Sequence, residues 1–301
     1  MKNNFSFCAA ALLFVSVQLV AVSAQAQPGS LDGQLRWQSF SAAAYNPLGL
    51  VELVQVSYRK PLYLSQNPLF ATNYAEAAVV GAATPAYGFV GLQAELQPLS
   101  ILRLRARAEA IGFFGNFGHV ARFNDVNADY SDTALDAIKE AGENSATTGT
   151  RWTLTALLQA AVGQVAVRSH LQGTYVNLDL GDGETLYYSP QFDYLIEDGG
   201  LFFQNDLDVV WLFESGLVAG ARMNSSWAVY SSEIADEDPN GPAHRVGPLV
   251  AWPFFEGSGR VKRATAIGLA NWYVKHRWRA GEDTPAWLPY IAVGVQIEGD
   301  L

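Results

Sequence analysis

The sequence predicts a closed antiparallel transmembrane β-barrel of about 12 strands (roughly 10 to 14), with short periplasmic turns and long outer loops. Half of the 301 residues are hydrophobic and only 16% are charged, below the ~25% usual for soluble domains. Beyond the N-terminus, no run reaches the ~18 apolar residues that a membrane helix needs. Apolar and polar residues alternate instead, as they do in strands that face lipid on one side and a lumen on the other.

The N-terminal segment predicts a cleavable secretory signal peptide that covers residues 1–27. Lys2 gives it a positive start, residues 5–22 are mainly apolar, and Ala24-Gln25-Ala26 supplies the small residues that signal peptidase reads. Cleavage there would leave residues 28–301 as a single outer-membrane β-barrel domain. An uncleaved N-terminal anchor helix is the alternative interpretation of the same segment.

The clearest window of alternation covers residues 102–111, within the predicted strand 101–117. Arg103, Arg105 and Arg107 fall on one face together with Glu109, and leucine and alanine residues fall on the other. Because side chains alternate between the two faces of a strand, this register separates charge from hydrocarbon. A soluble barrel turns its apolar face inward, whereas a membrane barrel turns that face to lipid and lines its lumen with polar groups.

Similar alternation predicts eleven further strands, and aromatic residues gather near the strand ends as in the interfacial girdles of membrane barrels. An even number of strands places both termini on the periplasmic side. The predicted strands cover residues 33–45, 49–62, 72–82, 86–97, 101–117, 149–162, 164–180, 201–214, 216–230, 244–256, 260–277 and 287–298.

The predicted connections alternate between short and long, which is typical of bacterial outer-membrane barrels. Within the longest loop, residues 132–140 predict one or two helical turns, and the irregular stretch 61–70 is compatible with a larger turn. The short turns lie near residues 97–100, 162–164, 214–217 and 256–260. The long, polar loops lie near residues 118–149, 180–200, 230–244 and 278–287.

Ten charged or ionisable residues on the predicted inner faces are the candidate lumen-lining residues. They are Glu95, Arg103, Arg105, Arg107, Glu109, Arg168, His170, Asp206, Asp208 and Arg222. Charges inside a barrel must be paired or hydrated, because unpaired burial is costly. Two interpretations stay open: a structural salt-bridge network that fills the lumen, or a polar pore or binding cavity whose arginine row favours anionic solutes.

Charge and motifs exclude several classes of function. The formal net charge of −10 argues against a nucleic-acid partner, which requires a basic face. The single cysteine, Cys8, lies in the leader, the four histidines lack metal-ligand spacing, and no G-x-S-x-G motif occurs. The sequence therefore predicts no catalytic residue, no metal site and no cofactor. The acidic clusters at 125–136 and 233–238 are interpreted as solvated loops rather than cation sites.

Four segments give the chain a family resemblance: NADYSD at 127–132, HRVGPLVA at 244–251, NWYVKHRW at 271–278 and GDL at 299–301. They resemble uncharacterised outer-membrane β-barrels of myxobacteria and related Gram-negative bacteria. The resemblance covers most of the mature chain and implies a barrel fold in the cell outer membrane, without an activity. One departure is that the sequence ends on Leu301, whereas barrel proteins often finish on an aromatic residue that the insertion machinery reads.

The functional hypothesis is an exported outer-membrane barrel with a charged, polar lumen, acting as a narrow porin-like channel or as a structural surface protein. Its expected partners are outer-membrane lipid and lipopolysaccharide, the barrel-assembly machinery during insertion, and small polar solutes. A barrel enzyme acting on lipid or peptide is an alternative, which requires a His–carboxylate or His–Ser pair that converges in space. A soluble, secreted, lipocalin-like binding barrel is another, which requires an apolar interior and a polar outer face.

Overall fold

A closed antiparallel β-barrel forms the body of the computed structural model, which describes residues 31–114, 120–181 and 183–301. In chain order its strands are β1 (Gln34–Tyr45), β2 (Gly49–Lys60), β3 (Tyr74–Ala83), β4 (Tyr87–Leu99), β5 (Leu102–Phe113), β6 (Arg122–Phe123), β7 (Thr147–Val162), β8 (Val165–Leu178), β9 (Leu186–Ser189), β10 (Tyr194–Glu197), β11 (Leu201–Leu212), β12 (Val218–Val229), β13 (Ala243–Glu256), β14 (Val261–Lys275) and β15 (Tyr290–Asp300).

Twelve of these strands form the barrel wall, and β6, β9 and β10 form a separate small sheet. Each wall strand pairs with its neighbours along the chain, and β1 closes the circle on β15 with Ser41 opposite Val295. Closure leaves no sheet edge with unpaired backbone groups, as a hydrocarbon environment requires. The prediction of a closed twelve-stranded barrel is confirmed, and every predicted strand end lies within four residues of the observed one. The predicted signal peptide lies outside the described residues.

The wall exposes its apolar side chains outward. Leu92 on β4 and Leu154 on β7 are each 68% exposed, whereas their polar neighbours along the same strands face the interior. One charged exception is Glu52 on β2, whose carboxylate accepts hydrogen bonds from Ser39 and Ser41 on the outer surface. An apolar outer face is the reverse of what a secreted lipocalin-like barrel needs, so that alternative is wrong.

The inner surface of the wall divides into two halves. Most buried charged groups lie on β4, β5, β7, β8, β11 and β12. The inner face of β1 to β3 and of β13 to β15 is mainly apolar, with buried side chains that include Phe40, Val51, Leu53, Val80, Leu249, Ile267 and Leu269. The interior is therefore mainly apolar along one side, where Arg59 and Glu76 form an ion pair, and holds a more extensive polar network along the other.

The long connections gather at one end of the barrel and fold into a compact cap. We define the cap as residues 120–146, 179–200 (except 182), 230–242 and 276–289, which follow β5, β8, β12 and β14. The short connections β4–β5, β7–β8, β11–β12 and β13–β14 meet at the opposite end, as predicted. The loop 61–73, which contains the short 3₁₀ helix Pro68–Phe70, is the larger turn expected between β2 and β3.

The cap contains secondary structure of its own. The strands β6, β9 and β10 form a three-stranded sheet in the order β10-β9-β6. The helix α1 (Asp132–Ala141) begins at Ser131, whose side chain accepts a hydrogen bond from Ala134 N, and ends at Gly142 in the left-handed conformation. The predicted helical turns are confirmed. Among the residues that the structure describes, none of the helices is long and apolar enough to span a membrane.

Candidate functional site

The arginine row on β5 is held by groups on the neighbouring strand β4. Arg105 faces Glu95 in the strand register, and its Nη2 lies 2.6 Å from Glu95 Oε2. Arg103 Nε lies 3.9 Å from Glu95 Oε1. The same carboxylate accepts a 2.5 Å hydrogen bond from the Tyr74 hydroxyl. Glu95 therefore balances charge from two arginines at one level of the lumen.

Arg107 and Glu109 continue this row toward the cap. Arg107 Nη2 donates to Gln93 Oε1 at 2.6 Å, and its Nη1 lies 3.4 Å from Glu109 Oε1. Arg151 on β7 forms an ion pair with the other Glu109 oxygen. Arg151 also donates to Gln191, a cap residue. This chain of contacts joins the wall network directly to the cap.

A second buried cluster lies on β8, β11 and β12. Asp208 accepts from Arg168 Nε at 2.8 Å and from Arg222 Nε at 2.7 Å. Arg222 also lies 3.2 Å from Asp206, which accepts from Asn224 Nδ2 at 2.7 Å. Strand pairing places Asp208 between Arg168 and Arg222, so one carboxylate binds two guanidinium groups.

A polar cavity of about 20 Å³ lies beside this second cluster. It has room for one or two water molecules. Of the candidate residues, His170, Asp206 and Arg222 line it. Arg245, at the cap end of β13, reaches the same cavity; its Nε donates to Asn224 Oδ1 at 3.2 Å, and its guanidinium carbon lies 4.2 Å from the centre of the Tyr290 ring.

Arg279 is the centre of the ion network in the cap. It binds Asp193 through Nε and Nη2, the latter at 2.9 Å from Oδ1. Its guanidinium also donates to Asp132 at 2.8 and 3.0 Å and to Asn46 Oδ1 at 3.1 Å. Burial alone would raise the pKa of Asp193, but Arg279 and His276 outweigh burial and hold that pKa below its usual range. Arg279 thereby joins four separate connections at the barrel mouth.

A small apolar core supports the cap on its own. Tyr130 packs 5.9 Å from the Tyr188 ring and 5.8 Å, edge-on, from the Trp278 ring. Further buried members are Ala121, Val126, Leu135, Leu186 and Leu195. The loops at 118–149 and 180–200 were predicted to be polar, and this part of the prediction is wrong. Their apolar residues pack against one another across loops that are distant in the sequence, which no local pattern reveals.

The turn between β9 and β10 extends from the cap into the barrel mouth. Phe192 packs 4.5 Å from the ring of Phe202 on β11, and Tyr194 packs 5.2 Å from the same ring. Gln191 accepts from Arg151 on β7. These contacts close part of the outer mouth with side chains from β7 and β11.

Sequence analysis missed several residues of the polar interior. Arg151, Arg245 and Tyr290 were not among the candidates, although all three are buried beside them. Arg245 is detectable in principle, because Val246, Val250 and Trp252 alternate outward along β13 and fix the inward position of Arg245. Tyr290 lies at the first residue of its strand, where alternation gives no signal.

Two histidines form the pairs that an enzyme would need. His244 Nδ1 lies 3.0 Å from Ser225 Oγ on the outer face at the cap end of the wall, and His276 Nε2 lies 3.3 Å from Asp193 Oδ2. His276 is engaged structurally, since its Nδ1 accepts from two backbone N–H groups, those of Trp278 and Arg279. In the described parts of the chain, no carboxylate pairs with His244, and no cluster of three or more metal-ligand side chains occurs.

Comparison with solved structures finds distant similarities. The chain is similar to the translocator domain of the autotransporter NalP from Neisseria meningitidis, with 9% identity over 92% of this chain and 90% of that one, at a TM-score of 0.42. It is also similar to OccAB1 of Acinetobacter baumannii, with 10% identity over 89% and 96% and a TM-score of 0.37.

No protein-family model matches the chain, and no curated protein matches it significantly. The structural similarities are too distant to assign a family or a function, so the resemblance to myxobacterial barrels stays a prediction. The barrel assignment rests on this chain's own strand register.

Proposed function

We propose that this chain is an outer-membrane β-barrel whose polar lumen is a narrow channel for small polar solutes, closed at its outer mouth by the cap. The observation that carries the proposal is the inner surface on β4 to β12, where Glu95, Glu109 and Asp208 each bind arginines along the wall. The ten candidate residues are proposed to line this path. A lumen with such a surface favours charged or polar solutes over apolar ones.

The proposed location follows from the outer face of the wall. Leucine, valine and aromatic side chains face outward there, and this surface would be unstable in water but is matched to lipid. The predicted signal peptide provides export. Outer-membrane lipid and lipopolysaccharide are therefore the proposed surroundings, and the barrel-assembly machinery is the proposed partner during insertion.

The cap is the proposed closure of the channel. Arg279 ties Asp193 to Asp132 across two cap segments, and Phe192 packs on the wall residue Phe202. We expect Arg279→Ala to loosen these segments, because Asp193 would keep a buried charge without its cation. Arg279 lies outside the strands of the barrel wall, so the pairing of those strands should remain intact.

Conductance of the refolded chain 28–301 in planar bilayers tests the proposal. The wild type should show low conductance with brief openings, and Arg279→Ala should open several times more often. Arg263→Ala, which removes a half-exposed ion pair with Glu256 at the opposite end, is the matched control and should behave as the wild type. Absence of conductance in both the wild type and Arg279→Ala, with folded barrels, would reject the channel and favour a structural surface protein.

A second candidate function, hydrolysis of lipid esters, is supported by the Ser225–His244 pair. Ser225 and His244 each lie two positions from an outward-facing residue, Met223 and Val246 respectively, so the pair faces the lipid side near the outer rim. A histidine beside a serine hydroxyl can act as the base that activates it. Labelling by a fluorophosphonate probe that is lost in Ser225→Ala would support this candidate, and the absence of labelling would remove it.

A further inference from the structure

The polar cavity beside β11 to β15 is lined by buried groups that lack partners. Gln204 Nε2, Asn271 Oδ1 and the Tyr290 hydroxyl line it, and none has a hydrogen-bond partner among the described residues. Asn271 and Tyr290 are each only 1% exposed. A buried polar atom without a hydrogen-bond partner destabilises the folded chain. Three such atoms on one cavity mark a place where a polar guest is favoured.

The charges around the cavity do not balance. Near the cavity, the ion pairs among the described residues join Arg168 to Asp208 and Arg222 to both Asp206 and Asp208. Arg168 and Arg222 take up both of these carboxylates. Arg245 forms no ion pair within the described part of the chain, and its Nε donates a hydrogen bond to the neutral Asn224. Three guanidinium groups against two carboxylates leave one positive charge in a buried site, where an anion is stabilised.

The geometry of the hydrogen-bond donors around the cavity favours a carboxylate among the possible anions. The guanidinium of Arg245 is a planar fork that matches a carboxylate through two parallel hydrogen bonds. It stacks over the Tyr290 ring, at 4.2 Å, which fixes its plane. The Gln204 amide and the Tyr290 hydroxyl can donate two more hydrogen bonds. With a volume of about 20 Å³, the cavity suits an anion of only a few heavy atoms.

We propose that this cavity is a binding site for a small monocarboxylate, of the size of formate, held by Arg245 and oriented by the donors of Gln204 and Tyr290. The site lies in the lumen beneath the cap. The site gives the proposed channel an anion-selective position. This selectivity rests on the proposed channel, whereas formate binding rests on the cavity alone.

Isothermal titration of the detergent-folded chain with sodium formate tests binding, in a background of constant ionic strength set by a bulky anion. Formamide, which has a similar shape but no charge, is the matched ligand control. We expect saturable binding of formate and none of formamide. Arg245→Gln should weaken binding at least about tenfold, because it removes the charged hydrogen bonds. Tyr290→Phe, which removes one hydroxyl with little change in volume, should weaken binding by a smaller factor.

Arg263→Gln, at the opposite end of the barrel, controls for loss of an arginine and should bind formate as the wild type does. Folding of each variant is checked by its heat-modifiable migration on gels. No saturable formate binding by the folded wild type, or equal binding by Arg245→Gln, would overturn the site. Formate binding that depends on Arg245 in a barrel without conductance would support the site and reject the channel instead, so the two failures are distinct.

Discussion

The wall and the cap of this molecule are stabilised in different ways. In the wall, twelve strands pair in a closed ladder, apolar side chains such as Leu92 face outward, and charges such as Asp208 face inward. In the cap, apolar groups such as Leu195 are buried together, and Arg279 joins the segments from within. The wall is built for lipid and the cap for water. This difference suggests that the cap can loosen while the wall stays closed.

The largest effect is expected from the wall charge Asp208. Its side chain is 1% exposed and bridges Arg168 and Arg222. Asp208→Asn should lower the free energy of unfolding by about 3–5 kcal/mol, because two buried guanidiniums lose their shared carboxylate. Denaturant titration of the chain in lipid vesicles measures this. Glu256→Gln, which breaks an exposed pair with Arg263, should cost at most about 1 kcal/mol; an equally small loss at Asp208 would mean that the lumen is hydrated.

The independence of the cap is tested at Leu195. This side chain is fully buried in the cap core, and Leu195→Ala should cost about 2–5 kcal/mol through lost contacts and a cavity. The loss should appear as faster proteolysis of the cap segments 120–146 and 183–200. The unfolding transition of the wall should stay unchanged. A matching shift of the wall transition would show that wall and cap unfold as one unit, which would contradict the independence of the cap.

The lipid-facing role of the wall is tested at Leu154, near the middle of β7. Leu154→Arg should destabilise the inserted barrel by about 2–4 kcal/mol, the usual cost of an arginine at the bilayer midplane. Ala141→Arg, at the exposed end of α1 in the cap, should change stability by less than about 0.5 kcal/mol. Vesicle-based unfolding compares the two variants. An equally small loss of stability in both variants would indicate that the side chain of Leu154 faces water and not lipid.

The wall was predictable from the sequence because its physical rule is local. Alternation along β5 places Arg103, Arg105 and Arg107 on one face before any partner strand is known. The candidate pairs Arg105–Glu95 and Arg222–Asp208 follow once adjacent strands are aligned. The rule weakens where strands end, as at Tyr290, and where the inner face turns apolar in β13 to β15.

The cap could not be predicted because its contacts join residues far apart in the chain. Arg279 binds Asp132, 147 positions away, and Asp193, 86 positions away. The strands β6, β9 and β10 have two to four residues each, too few for a periodic signal. Distance along the chain also hides the excess positive charge at Arg245. This charge is recognised only when the partners of Arg168, Arg222 and Arg245 are known.

The smallest expected effect is a response of the cap to pH through His276. The ring is buried and faces Asp193, Arg279, Arg245 and Tyr273. Its Nδ1 accepts hydrogen bonds from the backbone N–H groups of Trp278 and Arg279, each at 3.2 Å, and its Nε2 lies 3.1 Å from the backbone oxygen of Asp193. A neutral ring with its proton on Nε2 satisfies all three contacts, whereas a proton on Nδ1 would break two of them.

Burial lowers the pKa of His276 below its ordinary value of 6.5; Asp193 opposes the shift and Arg279 adds to it. The unfolded segment therefore takes up a proton before the folded one does. The contribution of His276 to cap stability is complete above pH 6.5 and declines as the pH falls from there toward the lowered folded pKa. Hydrogen exchange of residues 276–289 should be faster at pH 5.5 than at pH 7.5, after correction for intrinsic rates. His276→Gln should remove this difference while leaving exchange in the wall strands unchanged, and pH-independent protection of the wild-type cap would show that His276 does not couple to it.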